Sequence, residues 1–212
     1  MRYNITAGRT LLKRNAAKAL GRKNVLAREL SKALKGSSFS SGQEYMNIMK
    51  KLTAVARKNG GNEPAPLYKK EIIPIKGRLA LTEGTPWGGV SLKKVDVERN
   101  FIKKLLVVGK LGKLGFEYHR KKHERLEVVE GKCLVLYSNH ANGMGKGEMD
   151  CKIAAKGDRF YFMPYDEHGI LALTDCVIEE KSTNNLDDLV FIYNANARDN
   201  NGSQEPCKER AS

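Results

Sequence analysis

The stretch EYHRKKHERLEVVEG, Glu117–Gly131, sets a charged run with two histidines against an apolar run closed by glycine. Side chains two apart on a strand share a face, so Glu117 and His119 point the same way. Glu124 lies past a turn, at the start of a second strand, where antiparallel pairing can return it opposite His119. The charged half thus offers ligands, and the apolar half fixes them to a rigid wall.

The same texture extends outward in both directions. FIKKLLVVG, GFEYH, RLEVVEG, KCLVLYS, CKIAAKGD, RFYFMP, ILALTDCVIEEKS and DLVFIYN are short runs rich in β-branched, aliphatic and aromatic residues, separated by turn signals. From about residue 79 onward no helical periodicity appears, which predicts a mainly β sandwich or small barrel. On such a barrel His168 would come from a later strand. Two carboxylates and two imidazoles would then meet, a mixed oxygen and nitrogen set suited to Mn, Fe, Zn, Ni or Co. Glu127 alternates away from the core face. His123 reads as solvent-facing, His140 as a loop residue making a local turn contact, and Trp87 as an anchor at a strand entrance.

Composition narrows the alternatives. The 212 residues suffice for one substantial domain with an appendage, or for two small domains. No run of 18 apolar residues occurs, so no membrane-spanning helix is predicted. Cys133, Cys151, Cys176 and Cys207 form no CxxC pair, which argues against a disulfide framework or a structural zinc site and makes a reducing compartment the default. The net charge of +14 is carried wholly by residues 1–80, with 18 Lys and Arg against 4 Asp and Glu. Residues 81–212 balance at 20 against 20.

Residues 1–62 therefore read as a basic, mostly α-helical extension. Leu11, Leu12, Ala16, Ala19 and Leu20, then Leu26, Leu30, Ala33 and Leu34, recur at helical spacing, with Gly36 as a C-cap. A second helix begins at Ser41, three residues before Glu44 in capping-box spacing, and ends at Gly60-Gly61. Tyr45, Ile48, Met49, Leu52 and Val55 form its apolar stripe. Residues 63–82 read as a linker, 83–199 as the barrel and 200–212 as a flexible polar tail. Arg9, Lys13, Arg14, Lys18, Arg22, Lys23 and Arg28 precede or flank the first acidic residue, Glu29. They would neutralise phosphates of a nucleic acid without reading its sequence, or face an acidic protein surface. A solvated helical face, or a mitochondrial transit peptide over the first 28 residues, fits the same pattern less fully.

The motifs also carry a resemblance. His119, Glu124 and Gly131 stand at the spacing of the first cupin motif, with Glu117 in place of its usual first histidine. GDRFYFMPYDEHG resembles the second, with Gly157, Pro164 and His168, although one residue fewer separates the proline from the histidine. The 25 residues between Gly131 and Gly157 are an ordinary inter-motif length for cupins. Within cupins the chain looks most like the C-terminal domain of type II mannose-6-phosphate isomerases. TPWGG, the run from Lys103 through Val135, and STNNLDDLVFIYNANARD are similar to that family's opening, core and closing segments, though Tyr-Gly-Arg is missing from the last. The resemblance covers about residues 83–199.

It implies a double-stranded β-helix (jelly-roll) barrel with a divalent metal on Glu117, His119, Glu124 and His168. It also implies a sugar-phosphate ligand held by Lys122 or Arg198, and a homodimer. Two functions follow as expectations. One is a metal-dependent sugar-phosphate isomerase or epimerase in the cytoplasm. The other is a non-catalytic structural component, of virion or ribonucleoprotein type, in which the barrel is a rigid body and the basic arm binds nucleic acid or an acidic partner within a large intracellular or viral assembly.

Overall fold

Alternation along the strands is written directly into two cores. The computed structural model describes residues 1–5, 25–59, 87–140, 143–185 and 187–193. Twelve strands and two helices occur among them. In chain order they are β1 (Tyr3–Ile5), α1 (Val25–Ala33), β2 (Ser38–Phe39), α2 (Gly42–Asn59), β3 (Gly88–Asp96), β4 (Phe101–Val108), β5 (Phe116–His119) and β6 (Glu124–Glu130). Then follow β7 (Lys132–Tyr137), β8 (Glu148–Ala155), β9 (Arg159–Phe162), β10 (His168–Ala172), β11 (Cys176–Ser182) and β12 (Leu189–Tyr193).

The strands form a seven-stranded sheet, β12-β5-β10-β7-β8-β1-β2, and a five-stranded sheet, β3-β4-β11-β6-β9. From β5 onward the chain passes back and forth between them in jelly-roll fashion. One core lies between the sheets. Val90, Leu106, Leu126, Val128, Phe160 and Ile178 of the five-stranded sheet meet Cys133, Val135, Ala154, Ile170 and Ala172 of the seven-stranded one. The mainly β reading therefore holds. ILALTDCVIEEKS, read as one run, is two strands in different sheets, because Leu173 to Asp175 turn the chain between β10 and β11. Gly88–Asp96, not singled out as a strand in the sequence, is β3.

The second core lies on the other face of the seven-stranded sheet. Residues one position out of phase, Phe116, Leu134, Leu136, Met149, Cys151, Ile153 and Leu171, pack there against Leu26, Leu30, Tyr45, Met49 and Leu52 of the helices. Strand β10 is consequently buried along its whole length, with Gly169 beneath Tyr45. A Cβ at Gly169 would stand 2.8 Å from the Tyr45 hydroxyl, so the close seat of α2 requires glycine there. Tyr3, Phe39, Tyr45 and Phe116 form an aromatic cluster with ring centroids 5.1–5.4 Å apart.

The local signals for the N-terminal elements are partly as expected. Gly36 closes the region after α1 at φ +67°, and the Glu44 N–H donates to Ser41 Oγ at 3.2 Å. The return bond of the capping box reaches one residue further back, with the Ser40 N–H donating to Glu44 Oε2 at 2.6 Å. The described extension also holds two strands that periodicity did not show: β1 lies parallel to β8, and β2 pairs with β1. Residues 6–24, the expected linker over 63–82 and the tail over 200–212 lie outside the described residues. No described helix is long and apolar enough to cross a membrane. Cys133, Cys151 and Cys176 are buried free thiols.

Candidate metal and anion site

At one end of the space between the sheets the inward-facing positions change from apolar to charged. Strand β5 contributes Glu117 and His119, and β10 contributes His168, directly opposite Glu117 in the antiparallel register. Glu124 opens β6, where Leu126 and Val128 continue its face inward. The two imidazole centroids are 6.3 Å apart. His119 Nε2 lies 3.3 Å from Glu124 Oε2, and His168 Nε2 lies 3.8 Å from Glu117 Oε1. Phe162 of β9 stacks on His168 at 4.2 Å and 5°, fixing the plane of that ring. All four residues singled out in the sequence as metal ligands thus stand around one buried volume.

Sequence reasoning missed two members. Lys104 of β4 and Glu180 of β11 face the same volume, their ion pair measuring 3.0 Å. The signal was present: Lys104 alternates with Ile102 and Leu106, and Glu180 with Ile178, each inward-facing. Lys122 also differs from expectation. It was assigned to a phosphate by resemblance, yet it is buried, 2.8 Å from Glu124 Oε2, 2.6 Å from Glu180 Oε1 and 3.5 Å from His119 Nε2. Asp188 holds the loop that carries it, accepting from the Lys121 and Lys122 backbone N–H groups at 2.5 and 2.8 Å.

Three carboxyl groups, of Glu117, Glu124 and Glu180, stand with the two ammoniums of Lys104 and Lys122. Burial chiefly, and then the neighbouring Glu124, push the Glu117 carboxyl up to about 8. Glu124 is held well below the ordinary carboxylate range: burial opposes ionisation, but Lys122 and the two histidines outweigh it. Burial pulls His168 down to about 4, leaving a neutral imidazole at pH 7, the form that binds metals. The Nδ1 atoms of both histidines are buried, with no hydrogen-bond partner among the described residues.

This donor set fits a divalent ion in its chemistry: neutral imidazole with carboxylate suits Mn, Fe, Zn, Ni or Co. The ammonium of Lys122 stands against Glu124 and His119 within it. Among the described residues no three His, Cys, Asp or Glu side chains are already gathered closely enough to grip an ion.

The remaining predicted residues scatter. Arg9, Lys13, Arg14, Lys18, Arg22, Lys23 and Arg198 lie outside the described residues. Arg28 is on α1, exposed, with its Nε 3.8 Å from Glu29. His123 is exposed, and Glu127 lies on the outer face of β6, bound by Arg125 and Arg159. His140 makes more than a local turn contact: its Nε2 lies 2.9 Å from Glu167 across the barrel end.

No protein-family model and no curated protein matches the chain. Solved structures do. A double-stranded β-helix protein from Klebsiella pneumoniae is 10% identical, with 61% of this chain and 97% of that one covered and a TM-score of 0.41. An RmlC-like cupin from Desulfovibrio desulfuricans is 17% identical over 45% of this chain and 80% of that one, TM-score 0.36. A putative sugar phosphate isomerase from Acidithiobacillus ferrooxidans is 19% identical over 40% of this chain, TM-score 0.33, and the match spans only 51% of its length.

Proposed function

We propose that the chain is a cupin-type divalent-metal protein acting as a sugar-phosphate isomerase or epimerase, with Glu117, His119, Glu124 and His168 as metal ligands. The observation that carries this reading is the convergence of those four side chains at one barrel end. A bound dication would supply Lewis acidity, polarising a carbonyl and its adjacent hydroxyl.

The chain's own residues prepare the site for that ion. Phe162 and β10 hold His168 in one orientation, and Lys104 pairs with Glu180 at 3.0 Å. Glu117 would have to give up its proton to serve as a ligand, and Glu124 would have to part from Lys122, whose ammonium would remain with Glu180.

The test is metal content after purification, followed by turnover of mannose 6-phosphate or fructose 6-phosphate. Stoichiometric Mn, Fe, Zn, Ni or Co that His119→Ala and His168→Ala both remove is the expected result. A chain that binds none of these ions and turns over neither sugar would end the proposal.

A further inference from the structure

Beside the buried cluster, at the same barrel end, a cavity of about 340 Å³ opens to solvent, lined by Arg99, His123, Glu124, Arg125, Tyr161 and Lys181. That volume matches a small organic ligand. We propose that this cavity binds a phosphate group, with Arg99, Arg125 and Lys181 as its anion-holding residues. The inference deepens the sugar-phosphate reading by placing the phosphate, and rests on it only for the remainder of the ligand.

Strand register produces the charge of the cavity wall. Lys94 of β3 faces Lys103 of β4, Lys103 faces Lys181 of β11, and Lys181 faces Arg125 of β6. Like charges directly opposed on a sheet are destabilising, so such a row needs compensation. Glu179 receives both Lys103 and Lys181, at 2.6 and 2.9 Å. Glu127 receives both Arg125 and Arg159. Asp96 receives Lys94 at 3.3 Å, so three carboxylates answer five cations on this face; of those cations Arg125 and Lys181 line the cavity, where Arg99 joins them from the turn before β4. The carboxylate of Glu124, at the inner limit of the cavity, is already engaged with Lys122 at 2.8 Å and cancels little of this excess. Arg125 gives one terminal nitrogen to Glu127, while its buried Nε has no acceptor among the described residues.

The walls are held before any ligand arrives. The Asn184 N–H donates to Asn100 Oδ1 at 2.9 Å, the His123 N–H to Thr183 Oγ1 at 3.2 Å, and the Arg99 N–H to Asp96 Oδ1 at 3.0 Å. A site fixed this way gives up little freedom on binding. Guanidinium groups beside an ammonium suit the oxygens of a phosphate. Because Glu124 belongs to both, the cavity adjoins the cluster that contains His119.

Binding of inorganic phosphate to the full chain, stripped of metal by chelation, tests this by calorimetry or phosphorus NMR. Arg99→Ala and Lys181→Ala should each weaken binding by about tenfold or more. Arg159→Ala, which shares Glu127 but lies outside the cavity, should leave it unchanged, and Arg99→Lys should restore part of the loss. Absent binding by the native chain, or an equal loss in Arg159→Ala, overturns the proposal. Sugar-phosphate turnover with the same KM in Arg99→Ala would remove the cavity and leave the isomerase. Phosphate binding by a chain with neither metal nor turnover would do the reverse.

Discussion

The ammonium of Lys122 lies 2.6 Å from Glu180 Oε1, tying the loop after β5 to strand β11 inside the barrel. Both side chains are almost wholly buried. Removing one partner of such a pair leaves an uncompensated charge away from water, whose cost exceeds the worth of the pair itself. Lys122 also serves Glu124, so its loss takes the ammonium from Glu124 and leaves Glu180 with Lys104 alone.

Lys122→Met is therefore expected to lower stability by roughly 3–5 kcal/mol in chelator, measured by denaturant unfolding. Added Mn or Zn should recover more of that loss than it adds to the native chain, because the ion meets a more negative cluster. A variant whose unfolding no divalent ion shifts would argue that the cluster is structural.

The helices should unfold with the barrel. Phe39 is fully buried among Tyr3, Tyr45 and Phe116, which come from the extension and from β5. Phe39→Ala is expected to cost about 3–5 kcal/mol in a single transition. Deletion of residues 1–60 should expose the outer apolar face of the seven-stranded sheet and cause aggregation. Two separate transitions, or a soluble truncated barrel, would show the extension to be independent.

A pH effect follows from His140. Burial lowers its pKa, but the Met144 carbonyl and the Glu167 carboxylate outweigh burial and raise it above the usual histidine value. A raised pKa in the folded state makes the protonated form stabilising. That contribution is complete below the unfolded pKa of about 6.5 and disappears as pH rises through the folded value. Urea midpoints across this range should fall with pH in the native chain and fall less in His140→Gln. Equal slopes would refute the assignment.

Two glycines separate backbone strain from overlap. Gly131 and Gly157 both have positive φ, +78° and +88°. A Cβ at Gly131 would stand 2.0 Å from the Asp175 carbonyl oxygen, whereas one at Gly157 meets nothing within 4 Å. Gly157→Ala should cost on the order of 1 kcal/mol, and Gly131→Ala clearly more, both read from thermal unfolding.

Strand alternation made much of this molecule legible without coordinates. Glu117 with His119, and Glu124 ahead of Leu126 and Val128, share faces because the period of a strand is fixed by the backbone. The stripe Tyr45, Ile48, Met49 and Leu52 showed in the same way that α2 has a side to bury, though not what it buries against. The positions of Lys104 and Glu180 followed the same rule, but lysine and glutamate on a short strand look the same whether they face solvent or each other.

Pairing between distant segments was beyond the reach of periodicity. Which strands become neighbours depends on chain reversal and on the packing of two sheets, so the opposition of His168 to Glu117 and of Lys181 to Arg125 arises only in the folded chain. The sequence by itself determined the face shared by Glu117 and His119, that of Glu124, Leu126 and Val128, and most of the strands from β4 onward. Tertiary structure alone decided that Lys122 enters the cluster and that the helices cover the barrel's outer face, because a charge or an apolar stripe finds its partner only once the sheets have closed.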